Sequence, residues 1–448
     1  MIRKFLFWAL LVTAFASTGL AQTITLSPYS RYGVGDFFQN TTTRNMAMGD
    51  LGVATTHYSS INRLNPASYA DLLYSTLDVS GFAQMSRLRD ANATEQQFTA
   101  GFQNVAYGFP SNTGPVIVFG FAPYTGVGYN VSRTDSLVGS EETLVYQRSY
   151  TGEGGINQAF LGLGFNALKR RLKIGVNGYY NFGSLRYTGE VAFGNSNLGN
   201  LAPIGYEETV YLSGPGFQVG AIFTDTLSGK RKGKPAKGRR APITMLRLGA
   251  TMDYSAGLNG DRVRRFSTLY IDAGDTLPGV SGDDVEQGRS DIPPKFGFGA
   301  SIIRPGSWEL SAEANFQDLT KFTFFDVSGG LQSGMRLALG GEWIPKIDGK
   351  SYFQRIAYRG GLYYDRGYLQ VADQTVSDRG FSFGFGLPAS RKGTSLFNRE
   401  RAYSRINLGF AVGQRGSISS GLPLDEFYVR ARVGVTISER WFRRYRVD

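Results

Sequence analysis

The chain has 448 residues, among them 59 Gly, 32 Phe and 25 Tyr, with no cysteine, one histidine and a net charge of +12. The lack of Cys excludes disulfides, thiolate nucleophiles and Cys-ligated zinc or iron–sulfur sites, and the single His57 excludes a His-rich metal centre. A mean hydropathy of −0.20, with no apolar run near 20 residues after the N-terminus, excludes a helical membrane protein. A lipid-facing sheet of short alternating segments rich in Gly and aromatics survives every one of these exclusions.

At the start of the chain, Arg3 and Lys4 precede an apolar stretch from Phe5 to about Phe15. Gly19 and Ala21 then stand at the −3 and −1 positions of a cleavage site before Gln22, so residues 1–21 read as a signal peptide and the mature chain is exported. Residues 22–72 follow without alternation. They contain Ser27-Pro28-Tyr29-Ser30-Arg31-Tyr32-Gly33-Val34-Gly35-Asp36, a turn at Asn45 to Gly49 and the run Asn65-Pro66-Ala67-Ser68-Tyr69. Turn formers mixed with short apolar stretches predict a compact hatch or plug folded inside a barrel.

From Tyr74 onward the period is two. Phe427, Val429, Ala431, Val433, Val435 and Ile437 fall on one face of a strand, and Tyr428, Arg430, Arg432, Gly434, Thr436 and Ser438 on the other, a division no helix makes. The same pattern recurs over Leu172 to Phe182, Phe381 to Leu387 and Arg405 to Val412. Segments of about 10 to 15 residues match the roughly 9 to 11 needed to cross a bilayer at a tilt, which separates a membrane barrel from a soluble sandwich. Aromatics near segment ends, Trp308, Phe316, Trp343, Tyr364, Tyr403 and Trp441, fit interfacial girdles. The fold class is therefore all-β: a transmembrane antiparallel barrel over 73–448, of about 14 strands, running from 74–87 to 427–439. Segment 142–167, interrupted by Gly152, Gly154 and Gly155, reads as one kinked strand or two.

With the first strand leaving the periplasm, the periplasmic turns carry Lys169 to Arg171, Lys230 to Arg240, Lys346, Lys350, Arg391, Lys392, Arg443, Arg444 and Arg446. The outer connections carry Asp135, Glu141, Glu142, Glu207, Glu208, an acidic loop from Asp272 to Asp291, Asp425 and Glu426. The face opposite the apolar one holds Arg247, Asp253, Glu309, Glu313, Arg336, Glu342, Arg355, Arg359, Arg405, Arg430 and Arg432. Both signs are present, so these charges read as a lattice that fills the lumen and docks the hatch, in preference to an Arg site for an anionic substrate.

The N-terminal hatch with Asn65, Pro66 and Ala67, followed by fourteen strands, resembles the FadL-type outer-membrane family. Ser27 to Asp36, the Asn45 to Gly49 turn and the terminal Glu439-Arg440-Trp441-Phe442 are similar to its Bacteroidetes branch. The resemblance implies an outer-membrane channel of a Gram-negative bacterium that takes up hydrophobic molecules such as long-chain fatty acids. Release would be lateral, past the hatch and through a gap made by a bulge in an early strand, for which Pro110 and the Gly152 to Gly155 cluster are the visible candidates. A second reading is a non-transporting subunit of a secretion (type IX-like) or outer-membrane assembly complex, which a filled lumen suits better.

The expected partners are outer-membrane lipid, hydrophobic small molecules and, at the basic periplasmic turns, protein subunits; no nucleic acid, cofactor or metal is expected. His57 has Ser59 nearby but no acidic neighbour in sequence, so an enzyme is not expected. Asp283-Asp284-Val285-Glu286 reads as a solvated loop.

Overall fold

The computed structural model describes residues 25–39, 41–111, 114–138, 143–193, 204–228, 243–272, 275–280, 284–389 and 404–439. The signal peptide, the Lys230 to Arg240 run, Glu141, Glu142, Asp283, Arg391, Lys392, Tyr403, and the terminal Trp441, Arg443, Arg444 and Arg446 lie outside them.

The alternating segments form one ring of fourteen antiparallel strands. In chain order these are β1 (Ser75–Arg89), β2 (Thr94–Phe109), β3 (Val116–Val138), β4 (Thr143–Ala167), β5 (Leu172–Phe193), β6 (Ile204–Ser228) and β7 (Thr244–Ser255). They continue as β8 (Lys295–Arg304), β9 (Trp308–Asp318), β10 (Ser333–Trp343), β11 (Ala357–Asp365), β12 (Asp378–Pro388), β13 (Arg405–Arg415) and β14 (Asp425–Glu439). Each strand pairs with its sequence neighbours, and β14 pairs with β1 from Glu439 opposite Ser75 to Asp425 opposite Arg89, which closes the barrel. Closure removes the sheet edges that an open sheet would expose to lipid.

The periodicity assigns the two faces. On β14, Phe427, Val429 and Val433 are exposed on the outside, while Tyr428, Arg432, Thr436 and Ser438 are buried inside. Leu161, Leu310, Leu339 and Leu362 point outward on other strands. Trp308 stands opposite Trp343 near the end where β14 stops, here called the proximal end. β4 is a single strand, with a left-handed Gly154 (φ 107°) inside it.

The wall is uneven in height. Strands β3 to β6 have 23, 25, 22 and 25 residues, against 9 to 11 for β9 to β13. The surplus lies at the distal end, where the stretch expected as an acidic loop is strand instead. Leu258–Asp272 continues β7 after Ala256 and Gly257, pairing with the upper half of β6, and Asp284–Ser290 pairs with it in turn. The rungs there join unlike charges: Arg262 and Arg264 to Glu208 and Glu286, at 3.0–3.5 Å. Strands held by cross-strand ion pairs carry no apolar alternation, so a hydropathy reading passes over them.

On the low side, the connections after β9, β11 and β13 fold inward. Leu319, Phe322, Phe325, Leu331, Leu369, Val376 and Leu422 pack with Tyr29, Val34, Val127, Ile156, Leu185, Val210 and Leu212 into an apolar roof across the distal mouth.

Candidate functional site

Residues 27–72 pack against the inward faces of strands all round the ring. The first stretch lies at the distal end: Ser27 donates to Glu426 at 2.7 Å and Tyr29 to the Leu424 carbonyl at 2.6 Å. The last reaches the proximal end, where Leu73 N–H donates to the Tyr58 carbonyl just before β1 begins. In the sequence-predicted motif, the Asn65 side chain accepts from the Ala67 N–H at 3.0 Å, and Pro66 opens a short 3₁₀ helix to Asp71. This is an N-cap with Pro at the first helical position. The Asn65 amide also donates to the Val53 carbonyl at 2.7 Å and, at 3.3 Å, to Ala221 on the wall.

Inward glycines make the seat. A Cβ on Gly175 would lie 2.2 Å from the Pro66 backbone, on Gly220 2.0 Å from the Asn65 side chain, and on Gly249 2.1 Å from the Val53 carbonyl. On the far side, a Cβ on Gly361 would lie 2.2 Å from the Met48 backbone. No side chain fits at these contacts, so the high Gly content has a second use, which composition alone does not reveal.

Most of the lattice residues converge on this segment. Thr42 caps a single helical turn (Thr43–Met46) that presents Arg44 to the wall. Arg44 meets Glu309 at 3.0 Å and Glu342 at 3.2 Å, Arg359 meets Glu342 at 2.7 Å, and Arg247 meets Glu309 at 3.7 Å. Glu313 accepts from the Gly52 and Val53 N–H groups at 2.8 and 2.9 Å. Arg336 pairs with Asp50 at 3.3 Å, and Arg432 donates to both oxygens of Thr41 at 3.0 Å. Asp253 accepts from Tyr179, Arg430 donates to Gln84, and the half-buried Arg405 donates to the Gly386 carbonyl. Arg355 is a correction: it ends a 3₁₀ turn (Phe353–Arg355), with its guanidinium 5.6 Å from the Tyr352 ring, and precedes β11, which starts only at Ala357. Sequence reasoning missed the segment's own charged members Arg44 and Asp50, and the pairs Asp36–Arg415 and Asp71–Lys173, because the N-terminal segment carries no strand period that would assign its charges to a face.

Among the described residues, two small cavities lie within the barrel, of about 90 and 160 Å³. Arg63, Asp253 and Lys295 line the first, and Arg336, Asp378, Arg415, Glu426 and Arg432 are among those lining the second. Ligand pockets for drug-sized molecules span roughly 300–1,000 Å³ and are mostly apolar, so neither suits an alkyl chain. Two larger hollows, of about 500 and 560 Å³, are open furrows on the outer wall.

The wall itself parts between β2 and β3. Their ladder covers only Val105 to Phe109 against Ile117 to Phe121. Beyond it, β3 carries a bulge at Tyr124, and residues 122 to 128 are covered on both faces, Tyr124 less fully than the others, which marks a strand that has turned into the lumen. This bulge falls at neither expected position: Pro110 lies past the end of β2, and Gly152 to Gly155 stay within the β3–β4 ladder. The N-terminal segment takes the edge that β2 leaves. Asp36 and Phe37 pair with Gly126 and Thr125, Ser30 both donates to and accepts from Gly128, and Arg415 clamps Asp36 through two bonds of 2.7 and 2.8 Å. Gly35, with φ 90°, is required there, since a Cβ would lie 2.3 Å from the Gly126 carbonyl.

A closed fourteen-stranded barrel with this lipid-facing exterior and a segment packed against its inner wall defines an outer-membrane protein of the FadL fold. It is similar to a FadL homologue of Pseudomonas aeruginosa (TM-score 0.55, 11% identity, 91% of this chain and 99% of the other). It is also similar to the toluene transporter TbuX of Ralstonia pickettii (0.52, 12%, 89% and 98%) and to TodX of P. putida (0.52, 13%, 92% and 100%). At such identities the likeness carries the fold alone. No curated protein matches in sequence. The family model of BamG matches residues 1–448, and the chain belongs to that family.

Proposed function

We propose that this protein is a non-transporting barrel subunit of an outer-membrane assembly complex, in which residues 22–72 act as a fixed plug. The observation that carries this reading is the filled interior. Among the described residues, the glycine seats, the ion pairs from Arg44 and Asp50 and the apolar roof fill the lumen around two small cavities lined by charged groups. A buried lattice of this kind is costly to open, because each separated partner would keep an uncompensated charge. The family name, BamG, points the same way. The N-terminal motifs favour the Bacteroidetes branch of such proteins.

Uptake of hydrophobic molecules by lateral release is the second reading, and the parting of β2 from β3 favours it. Gentle detergent extraction from the native membrane, followed by mass spectrometry of everything that accompanies the chain, separates the two. A stoichiometric protein complex around a barrel free of bound hydrophobic molecules is the expected result. Copurifying hydrophobic molecules with no protein partner would instead establish the transport reading.

A further inference from the structure

The tall part of the wall carries exposed aromatics on its inward face, where the bilayer cannot account for them. Reading rungs across the adjacent strands, Val127, Gly154, Leu185 and Val210 lie in one row, and Val127, Leu185 and Val210 belong to the roof. Side chains two residues further along a strand share its face. Four residues further along each strand stands a second row on that same face: Val131, Tyr150, Gly189, Tyr206 and Phe266. Its four side chains are 40%, 40%, 39% and 52% exposed. The Tyr206 ring lies over Gly189, where a Cβ would come within 2.2 Å of it, so this ring is laid on the sheet within the row.

The row ends at Val131, on the edge of β3 that β2 has left. From Asn130 to Val138 this edge has no strand partner among the described residues. Its backbone direction is fixed by Gly128, whose N–H and carbonyl both bond Ser30 on that side. In an antiparallel strand alternate residues point their backbone groups the same way, so Asn130, Ser132 and Thr134 direct theirs outward as well. One stretch of extended polypeptide already sits on this edge, the chain's own Asp36 and Phe37.

We propose that the free edge of β3 together with the aromatic row docks an extended segment of a partner protein on the outer side of the membrane. That segment adds a strand antiparallel to β3, continues the ladder begun by Asp36 and Phe37, and lays apolar side chains beside Val131 and Tyr150. Strand addition supplies affinity through main-chain bonds and specificity through alternate side chains, and tyrosines give contact area at low entropic cost. The inference rests on the subunit reading.

Two edge substitutions test it, because proline removes an N–H while leaving a β3–β4 ladder that does not use it. Ser132→Pro with Thr134→Pro is expected to lose the protein that purifies stoichiometrically with the wild type, whereas Ser132→Ala with Thr134→Ala keeps it. Tyr150→Ala and Tyr206→Ala are each expected to weaken retention about tenfold or more, as for interface anchors. Heat-modified gel mobility reports that the barrel has folded. If the proline pair does not fold, a photo-crosslinking residue at Val131 in the otherwise native chain decides: a discrete polypeptide adduct supports the site, and adducts to lipid alone overturn it. Retention of the partner by every variant refutes this docking surface while leaving the subunit reading intact. A wild-type barrel that purifies with no protein at all removes both.

Discussion

Arg44 is the residue on which the interior turns. It is buried between Glu309 and Glu342, and its removal takes the nearest cation from Glu309, which keeps only Arg247 at 3.7 Å, and leaves Glu342 to Arg359 alone. Breaking such a pair costs about 3–5 kcal/mol, so Arg44→Ala is expected to lower the temperature of the heat-modifiability transition substantially. Arg44→Lys should lose less than Arg44→Ala, because it keeps a positive charge against both carboxylates. His57 gives a pH signature in the same place. Its Nδ1 accepts from the Ser59 N–H at 3.2 Å, and burial, with Arg44, Arg405 and Arg359 nearby, holds its pKa well below 6.5. The folded chain then keeps His57 neutral while the unfolded chain takes up a proton below about pH 6.5. Stability from this group is complete above that value and falls as the pH drops below it. Thermal unfolding followed from pH 8 to 5 should show the decline, and His57→Gln should flatten it.

At the scale of the element, the parting of β2 from β3 and the segment that seals it form one unit. Gly35→Val places a side chain against the Gly126 carbonyl at a backbone angle that only glycine accepts readily. It is expected to detach Asp36 and Phe37 from β3. A cysteine placed at Thr125, buried in the wild type, should then become reactive to a membrane-impermeant thiol reagent, and continued protection would refute the seal. Gly220→Val acts at the other end of the segment by colliding with Asn65. Overpacking of this kind costs about 1–3 kcal/mol, and protease cutting within residues 41–72 should rise accordingly.

The whole molecule is a barrel whose interior is largely occupied. Deleting residues 22–72 removes the partners of the glycine seats and of Glu309, Glu313 and Glu342, and is expected to raise single-channel conductance and permeability to small polar solutes. Unchanged conductance would mean that the roof of inward-folded connections closes the barrel without the segment. The unequal wall follows from the same construction. Where β9 to β13 stop near the length of a bilayer crossing, their connections fold over the mouth; where β3 to β6 continue, they raise a sheet beside it.

The period of two and the number of strands were legible in the sequence, because a side chain's face in a strand depends only on its position along the chain. Which charged residues of β7 to β14 share a face follows from the same rule, and Arg355 falls outside it because it precedes its strand. Three things were decided by tertiary structure. The bulge at Tyr124 depends on where β3 loses β2 and gains Asp36 and Phe37, pairings separated by dozens of residues. The distal strands beyond Gly257 are held by cross-strand ion pairs, which leave no apolar period. The fit of Asn65, Val53 and Met48 onto glycines sets whether the lumen is open or filled. That fit is a matter of contact between distant backbones, and no local pattern in the chain encodes it.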